Sequence, residues 1–159
     1  MNKSVLLIKI VAALNEGLEV LERAARASHV EATHESSRAE SKYDTRGLEA
    51  AYLAGGQARQ AREILDSIKL YSSMATRDFA ANDLIDLTAI VKLEVDGVPN
   101  LFFIGPKSGG VEVDYNGEEI TLITPQSPLG QNLIGKKAEQ SWTVKDGKST
   151  VKYRISQVW

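Results

Sequence analysis

The chain has no cysteine, which removes disulfides, thiolate nucleophiles and Cys-ligated zinc together and fits a reducing compartment. Histidine is almost as scarce, and His34, with only His29 besides and no cysteine, reads as a surface polar residue rather than a metal ligand. Aromatic residues make up 6% of the 159 positions, a thin supply for an aromatic-lined pocket. The formal net charge is only -2, which argues against a protein whose main task is to coat nucleic acid, because phosphate binding needs a basic face. Long apolar runs are missing too, since none approaches the roughly 20 residues of a membrane helix. The N-terminal stretch VLLIKIVAAL is interrupted by Lys9 and followed by Asn15-Glu16 without a small-residue cleavage site, so it is not expected to be a signal peptide. A soluble cytoplasmic protein is expected, with 43% hydrophobic residues supplying the core of one medium domain or two small ones.

What the sequence does contain is helical periodicity. Leu7, Val11, Leu14, Leu18, Leu21 and Ala25 alternate at spacings of four and three, the seam of a two-helix coiled coil, while Glu16, Glu19, Glu22, Arg23 and Arg26 fall off it. Val5, Leu6, Ile8 and Ile10 widen the stripe at the N-terminal end, which should therefore be buried against more than one partner helix, the second domain being the candidate. After Gly47 the pattern resumes at Ala51, Ala54, Ala58, Ala61, Leu65 and Ile68. The short connection predicts an antiparallel hairpin, a rod on the order of 40 Å long from its about 25–30 residues per arm. Gly55-Gly56 marks either a kink or a close helix approach.

The stretch between the arms, Glu31 to Gly47, is polar: Glu31, Glu35, Glu40 and Asp44 stand among Arg38, Lys42, Arg46, His34 and Tyr43. Such carboxylates suit a hard cation like Mg²⁺, which keeps several waters and takes one or two protein oxygens. A solvated turn explains the same composition.

From about residue 79 the chain changes character. LTAIVKLEV, NLFFI, VEVDY, EEITLIT, SWTV and STVKYRISQVW read as strands, with Asp96-Gly97, Asn116-Gly117 and Asp146-Gly147 as tight turns. In PQSPLGQNLIGK the alternation breaks: Ser127 suits an N-cap, Pro128 the first helical position, Leu129, Leu133 and Ile134 an apolar face, and Gly135 the stop. The loop GPKSGG lacks the Lys-Ser/Thr ending of a phosphate-binding loop and reads as a turn needing positive φ. The fold class is therefore α+β: a helical hairpin over residues 1–78 with its tip at about 31–47, then an antiparallel β-domain with one short helix over 79–159.

The run ITPQSPLGQNLIGKKAEQSWTV, followed by VKYRISQVW, resembles the C-terminal signature of the Gre factors, the bacterial transcript-cleavage factors of RNA polymerase. Length and the order of hairpin then β-domain match over nearly the whole chain. The resemblance implies an FKBP-like C-terminal domain that docks on RNA polymerase through Ser127, Pro128, Leu129, Leu133, Gly135 and Lys136. It also implies a coiled coil that enters the secondary channel. Glu35, Glu40 and Asp44 would be the tip acids that assist the polymerase's own nuclease. The protein would not be an enzyme, would hold no metal when free, and would share Mg²⁺ only with the polymerase, in the manner of a two-metal site. Nucleic acid would be met only through the elongation complex, and a membrane not at all. The tip departs from the family pattern, since alignment on Tyr43 places Ser36 and Ala39 where its two acids belong. Both a cleavage stimulator and a non-cleaving regulator of the channel stay open.

A second reading is an FKBP-like prolyl isomerase or chaperone with the hairpin as a dimerising arm. It would need an apolar pocket built on residues such as Phe103 and Trp142.

Overall fold

A computed structural model describes residues 1–33, 46–146 and 149–159. Helices α1 (Lys3–Thr33) and α2 (Arg46–Ser72) precede six strands: β1 (Ile90–Val95), β2 (Val98–Ile104), β3 (Glu112–Tyr115), β4 (Glu118–Ile123), β5 (Ser141–Asp146) and β6 (Ser149–Val158). A short helix, α3 (Pro128–Leu133), lies between β4 and β5. The chain divides into two compact units, Leu14–Ser72 on one hand and Met1–Ala13 with Ser73–Trp159 on the other. The first turns of α1 thus group with the β-rich part. No helix among the described residues is long and apolar enough to cross a membrane.

In the helical unit α1 keeps the seam its spacing predicts. Leu14 is buried and Leu18, Leu21 and Ala25 are half-buried, while Glu16, Glu19, Glu22 and Arg23 are exposed. On α2 the sheltered row is Gln57, Ala61, Ile64, Ser67, Ile68 and Tyr71, whereas Ala54, Ala58 and Leu65 are exposed. The predicted row thus holds at Ala61 and Ile68 and fails at Ala54, Ala58 and Leu65, because alanine favours a helix without favouring burial strongly enough to set its rotation. The large side chains Ile64 and Tyr71 set it instead.

Helix α2 runs unbroken through Gly55-Gly56, and a Cβ at either position would meet nothing within 4 Å. No close approach requires glycine there. Gly55→Ala and Gly56→Ala are therefore expected to stabilise the helical unit by about 0.5–1 kcal/mol each, read as a higher urea midpoint for helical circular dichroism.

The sheet has the order β3-β4-β2-β1-β6-β5. All neighbours are antiparallel except β2 and β4, which run parallel, because the chain leaves β2 through Gly105–Val111 and lays β3 on the outside of β4. The hairpins at Asp96-Gly97 (φ 50° and 85°) and Asn116-Gly117 (φ 58° and 84°) have positive φ at both central residues, the geometry whose twist matches the flanking strands and which Asn-Gly and Asp-Gly supply at least cost.

Both faces of the sheet are covered. Val91, Leu93, Ile104, Ile123, Ile155 and Val158 pack with Phe79, Ile85 and Leu133 in one core. A register shift between Lys92 and Leu93 lets Ile155 and Val158, an odd and an even position, both reach that core. Ile90, Leu101, Phe103, Ile120, Leu122, Val113 and Tyr115 alternate to the other face, where they are buried as well. Leu6 and Ile10 of α1 are fully buried in the same unit, and the Asn2 backbone N–H donates to the Tyr115 hydroxyl at 2.9 Å. Of the wide apolar stripe at the start of α1, Leu6 and Ile10 serve the β-rich unit as expected, whereas Val5 and Ile8 are exposed, 39% and 69%.

Lys3 is buried in this unit and donates its ammonium to the Arg77 carbonyl. Its Nζ lies 4.5 Å from the centroid of the Phe79 ring, which the Arg77 guanidinium also approaches at 4.0 Å. Burial lowers the Lys3 amine to about 8, against an upward pull from Asp78 and with a smaller downward push from Arg77. The unfolded chain keeps this proton up to about 10.5, so between pH 8 and 10.5 it binds more protons than the folded one and stability rises with pH. Below pH 8 both states are protonated and the slope vanishes. A urea midpoint that climbs from pH 8 to 9.5 in the wild type and stays level in Lys3→Met is the expected result.

Candidate functional site

Two regions carry the functional expectations. Glu35, Glu40 and Asp44 lie in residues 34–45, outside the described residues, between the end of α1 at Thr33 and the start of α2 at Arg46. Among the described residues no group of three or more His, Asp or Glu could hold a metal ion.

The second region is α3 and the chain around it, and here local chemistry explains the geometry closely. Ser127 is extended (φ -66°, ψ 153°) and caps the helix: its Oγ accepts from the Gly130 N–H at 3.1 Å and donates to the Thr124 carbonyl at 2.8 Å. Its own N–H donates to the same carbonyl at 3.0 Å, so Thr124 O is the hub of the turn. Pro128, with φ already set by its ring and no N–H to leave unpaired, occupies the first helical position. Gly130 sits so close that a Cβ there would collide with the Thr124 carbonyl oxygen and carbon and touch Ser127 Oγ at 3.0 Å. Asn132 Nδ2 donates to the Pro128 carbonyl at 2.8 Å and Gln131 Nε2 to the Gln126 carbonyl at 3.0 Å.

The helix is fastened at its far end by the segment before β1. Gly135 (φ 77°) donates to the Ile85 carbonyl at 2.9 Å, and the Ile85 N–H donates to the Lys136 carbonyl at 2.8 Å. Leu133 is fully buried, while Leu129 and Ile134 pack half-buried against the same core. The Lys136 ammonium lies 5.3 Å from the Trp142 ring, which stacks on Tyr153 with centroids 5.0 Å apart and planes at 8°.

The structure therefore sorts the six residues expected on this surface. Ser127, Leu133 and Leu129 shape and anchor the turn, Pro128 and Gly135 are exposed on it, and Lys136 is half-buried beside Trp142. On the helix Gln131 and Asn132 are both exposed, and Leu84 and Leu87, 53% and 42% exposed, flank the buried Ile85 whose backbone bonds to Gly135 and Lys136. Gly130, Gln131 and Asn132 lie within the short helix that the sequence marks, whereas sequence reasoning passed over Leu84 and Leu87. The available signal was two leucines among turn residues, Asn82-Asp83 and Asp86, where no periodicity calls for them.

The two aromatics that an isomerase pocket would combine are separated by the sheet. Trp142 packs with the α3 core, whereas Phe103, fully buried opposite Ile90, belongs to the other face. Side chains alternate across a strand, so these rings line no common pocket.

Comparison with known proteins gives similarity in solved structures alone: no protein-family model matches, and neither does any curated protein. The chain is similar to the transcription factor Gfh1 (16% identity, 93% of this chain and 92% of that one, TM-score 0.39). It is similar also to GreA factor homolog 1 of Thermus thermophilus (22% identity, 94% of each chain, TM-score 0.37). The prokaryotic transcription elongation factor GreA/GreB from Nitrosomonas europaea shares 20% identity over 60% of this chain and 78% of that chain, with TM-score 0.36.

Proposed function

We propose that this protein is a Gre-like factor that binds RNA polymerase through the α3 surface and carries the segment between its two long helices into the polymerase's secondary channel. The carrying observation is the Ser127–Lys136 turn. The residues that resemble the family signature form a rigid unit here, capped by Ser127, closed on Thr124 and pinned by Leu133, which leaves Pro128, Gln131, Asn132 and Gly135 facing solvent. A surface held by half-buried hydrogen bonds and one core leucine loses little conformational entropy on docking, which suits it to recognition. Leu84 and Leu87, exposed on either side of the Ile85 that bonds to Gly135 and Lys136, would add apolar area to that surface.

At the channel end Glu35, Glu40 and Asp44 would contribute carboxylate oxygens to a Mg²⁺ shared with the polymerase, which would itself perform the cleavage. The alternative outcome at that end is regulation without cleavage, by occupying the channel or altering metal occupancy.

The test is a transcript-cleavage assay on stalled elongation complexes, run beside a direct polymerase-binding measurement. The variant combining Pro128→Ala, Gln131→Ala and Asn132→Ala is expected to bind polymerase about tenfold or more weakly while remaining folded. The variant combining Glu35→Gln, Glu40→Gln and Asp44→Asn is expected to bind as the wild type does and to lose cleavage. Failure of the wild type to bind polymerase would sink the whole reading. Binding without cleavage by the wild type would sink the catalytic half and leave a non-cleaving regulator.

A further inference from the structure

The sheet ends on β5, whose one neighbour among the described residues is β6. The parity of that pair can be read from two places. Ile155 N–H donates to the Gln140 carbonyl at 2.9 Å, and Lys152 spends its own backbone groups on the β1 side, its carbonyl accepting from Asp96 N–H at 2.8 Å and its N–H donating to Asp96 Oδ1 at 2.8 Å. Thr143, the cross-strand partner of Lys152, is therefore at a non-hydrogen-bonded position, and so are Ser141 and Lys145. The peptide groups of Ser141, Thr143 and Lys145 point outward along an exposed edge.

The two side-chain rows of this edge differ in chemistry. Trp142, backed by Tyr153, and Val144, 39% exposed and paired with Val151, form an apolar row. Ser141, Thr143 and Lys145, backed by Arg154 and Lys152, form a polar and cationic row beside a cavity of about 460 Å³. Glu94 and Glu139 both engage Arg154, at 3.5 and 2.6 Å, while among the described residues the ammonium groups of Lys145 and Lys152 form no ion pair with a carboxylate.

We propose that β5 is a docking edge for an extended segment of a partner protein in which apolar and acidic side chains alternate, added to the sheet as an antiparallel strand. The outward peptide groups supply the main-chain ladder, Trp142 and Val144 meet the apolar side chains, and Lys145 and Lys152 meet the acidic ones. The same lysines repel basic strands, which gives the edge its selectivity. A second copy of this chain is a poor donor. Its own strand of matching pattern, β3, already has Val113 and Tyr115 buried and is tied to α1 through Asn2–Tyr115 and Lys9–Asp114.

The test uses the full chain and a blocked peptide of four Val-Glu repeats, with four Val-Lys repeats as the comparison, read by residue-resolved amide hydrogen exchange. The Val-Glu peptide is expected to protect the amides of Ser141, Thr143 and Lys145, and the Val-Lys peptide to leave them unchanged. Thr143→Pro is expected to abolish binding without changing the melting temperature, because the lost N–H points away from β6. Lys145→Glu with Lys152→Glu is expected to weaken Val-Glu binding about tenfold or more and to admit the Val-Lys peptide. Equal protection by both peptides, protection elsewhere, binding retained in Thr143→Pro, or concentration-dependent protection of these amides without peptide, which would make the edge a self-interface, would each overturn the proposal.

Discussion

Gly130→Ala is expected to destabilise the β-rich unit by about 2–4 kcal/mol, although alanine is the better helix former by about 1 kcal/mol. The new Cβ would meet the backbone of Thr124, which no side-chain rotation relieves. Relief requires the turn to open. Opening separates Ser127 from Thr124 O and removes the cap on the Gly130 N–H, so a steric cost turns into lost half-buried hydrogen bonds. Chemical denaturation followed by tryptophan fluorescence measures the loss, since Trp142 packs against the same core. Under the proposed function, polymerase binding would fall with it, because the displaced turn carries Pro128, Gln131 and Asn132. Asn132→Ala is the control. It removes one exposed hydrogen bond and is expected to stay within about 0.5 kcal/mol of the wild type. A Gly130→Ala protein as stable as the wild type would show that α3 does not need its close approach to Thr124.

Phe103→Ala should cost about 3–5 kcal/mol, the ordinary consequence of removing a fully buried aromatic side chain from the centre of a sheet face. Ile90 stands beside it on β1 and Leu122 on β4, and neither strand can close the space without breaking a ladder. Phe103→Leu keeps most of the volume and is expected to cost about 1.5 kcal/mol or less, leaving a folded protein. That variant also decides the isomerase reading. Prolyl isomerase activity in the wild type that disappears in folded Phe103→Leu would place Phe103 in a working pocket; its burial opposite Ile90 predicts no such activity in either protein.

Much of the β-rich unit was legible because its punctuation is local. Asp96-Gly97 and Asn116-Gly117 force φ > 0 in two consecutive residues, and Ser127-Pro128 starts a helix that Gly135 stops; each is a decision made within four or five residues. The α1 seam was more legible than that of α2. Leucines set α1 correctly, whereas the alanine-rich spacing on α2 found Ala61 and Ile68, missed Ile64 and Tyr71, and included the exposed Leu65. Leu84 and Leu87 could not be found in advance, since what brings them near α3 is the backbone bridge between Ile85 and residues 135–136, fifty positions away in sequence. Leu133, chosen for a docking role, is enclosed in the core.

The sequence by itself determined the element types, their order, the turn geometry and the chemistry of the caps. These follow from sterics and hydrogen bonding between near neighbours, which every copy of such a segment feels alike. Tertiary structure alone decided the parallel pairing of β2 with β4, the assignment of the first turns of α1 to the β-rich unit, the need for glycine at 130 and the outward face of β5. Each of those depends on which distant surfaces exclude water together, and burial is a sum over the whole unit that no short stretch of chain contains.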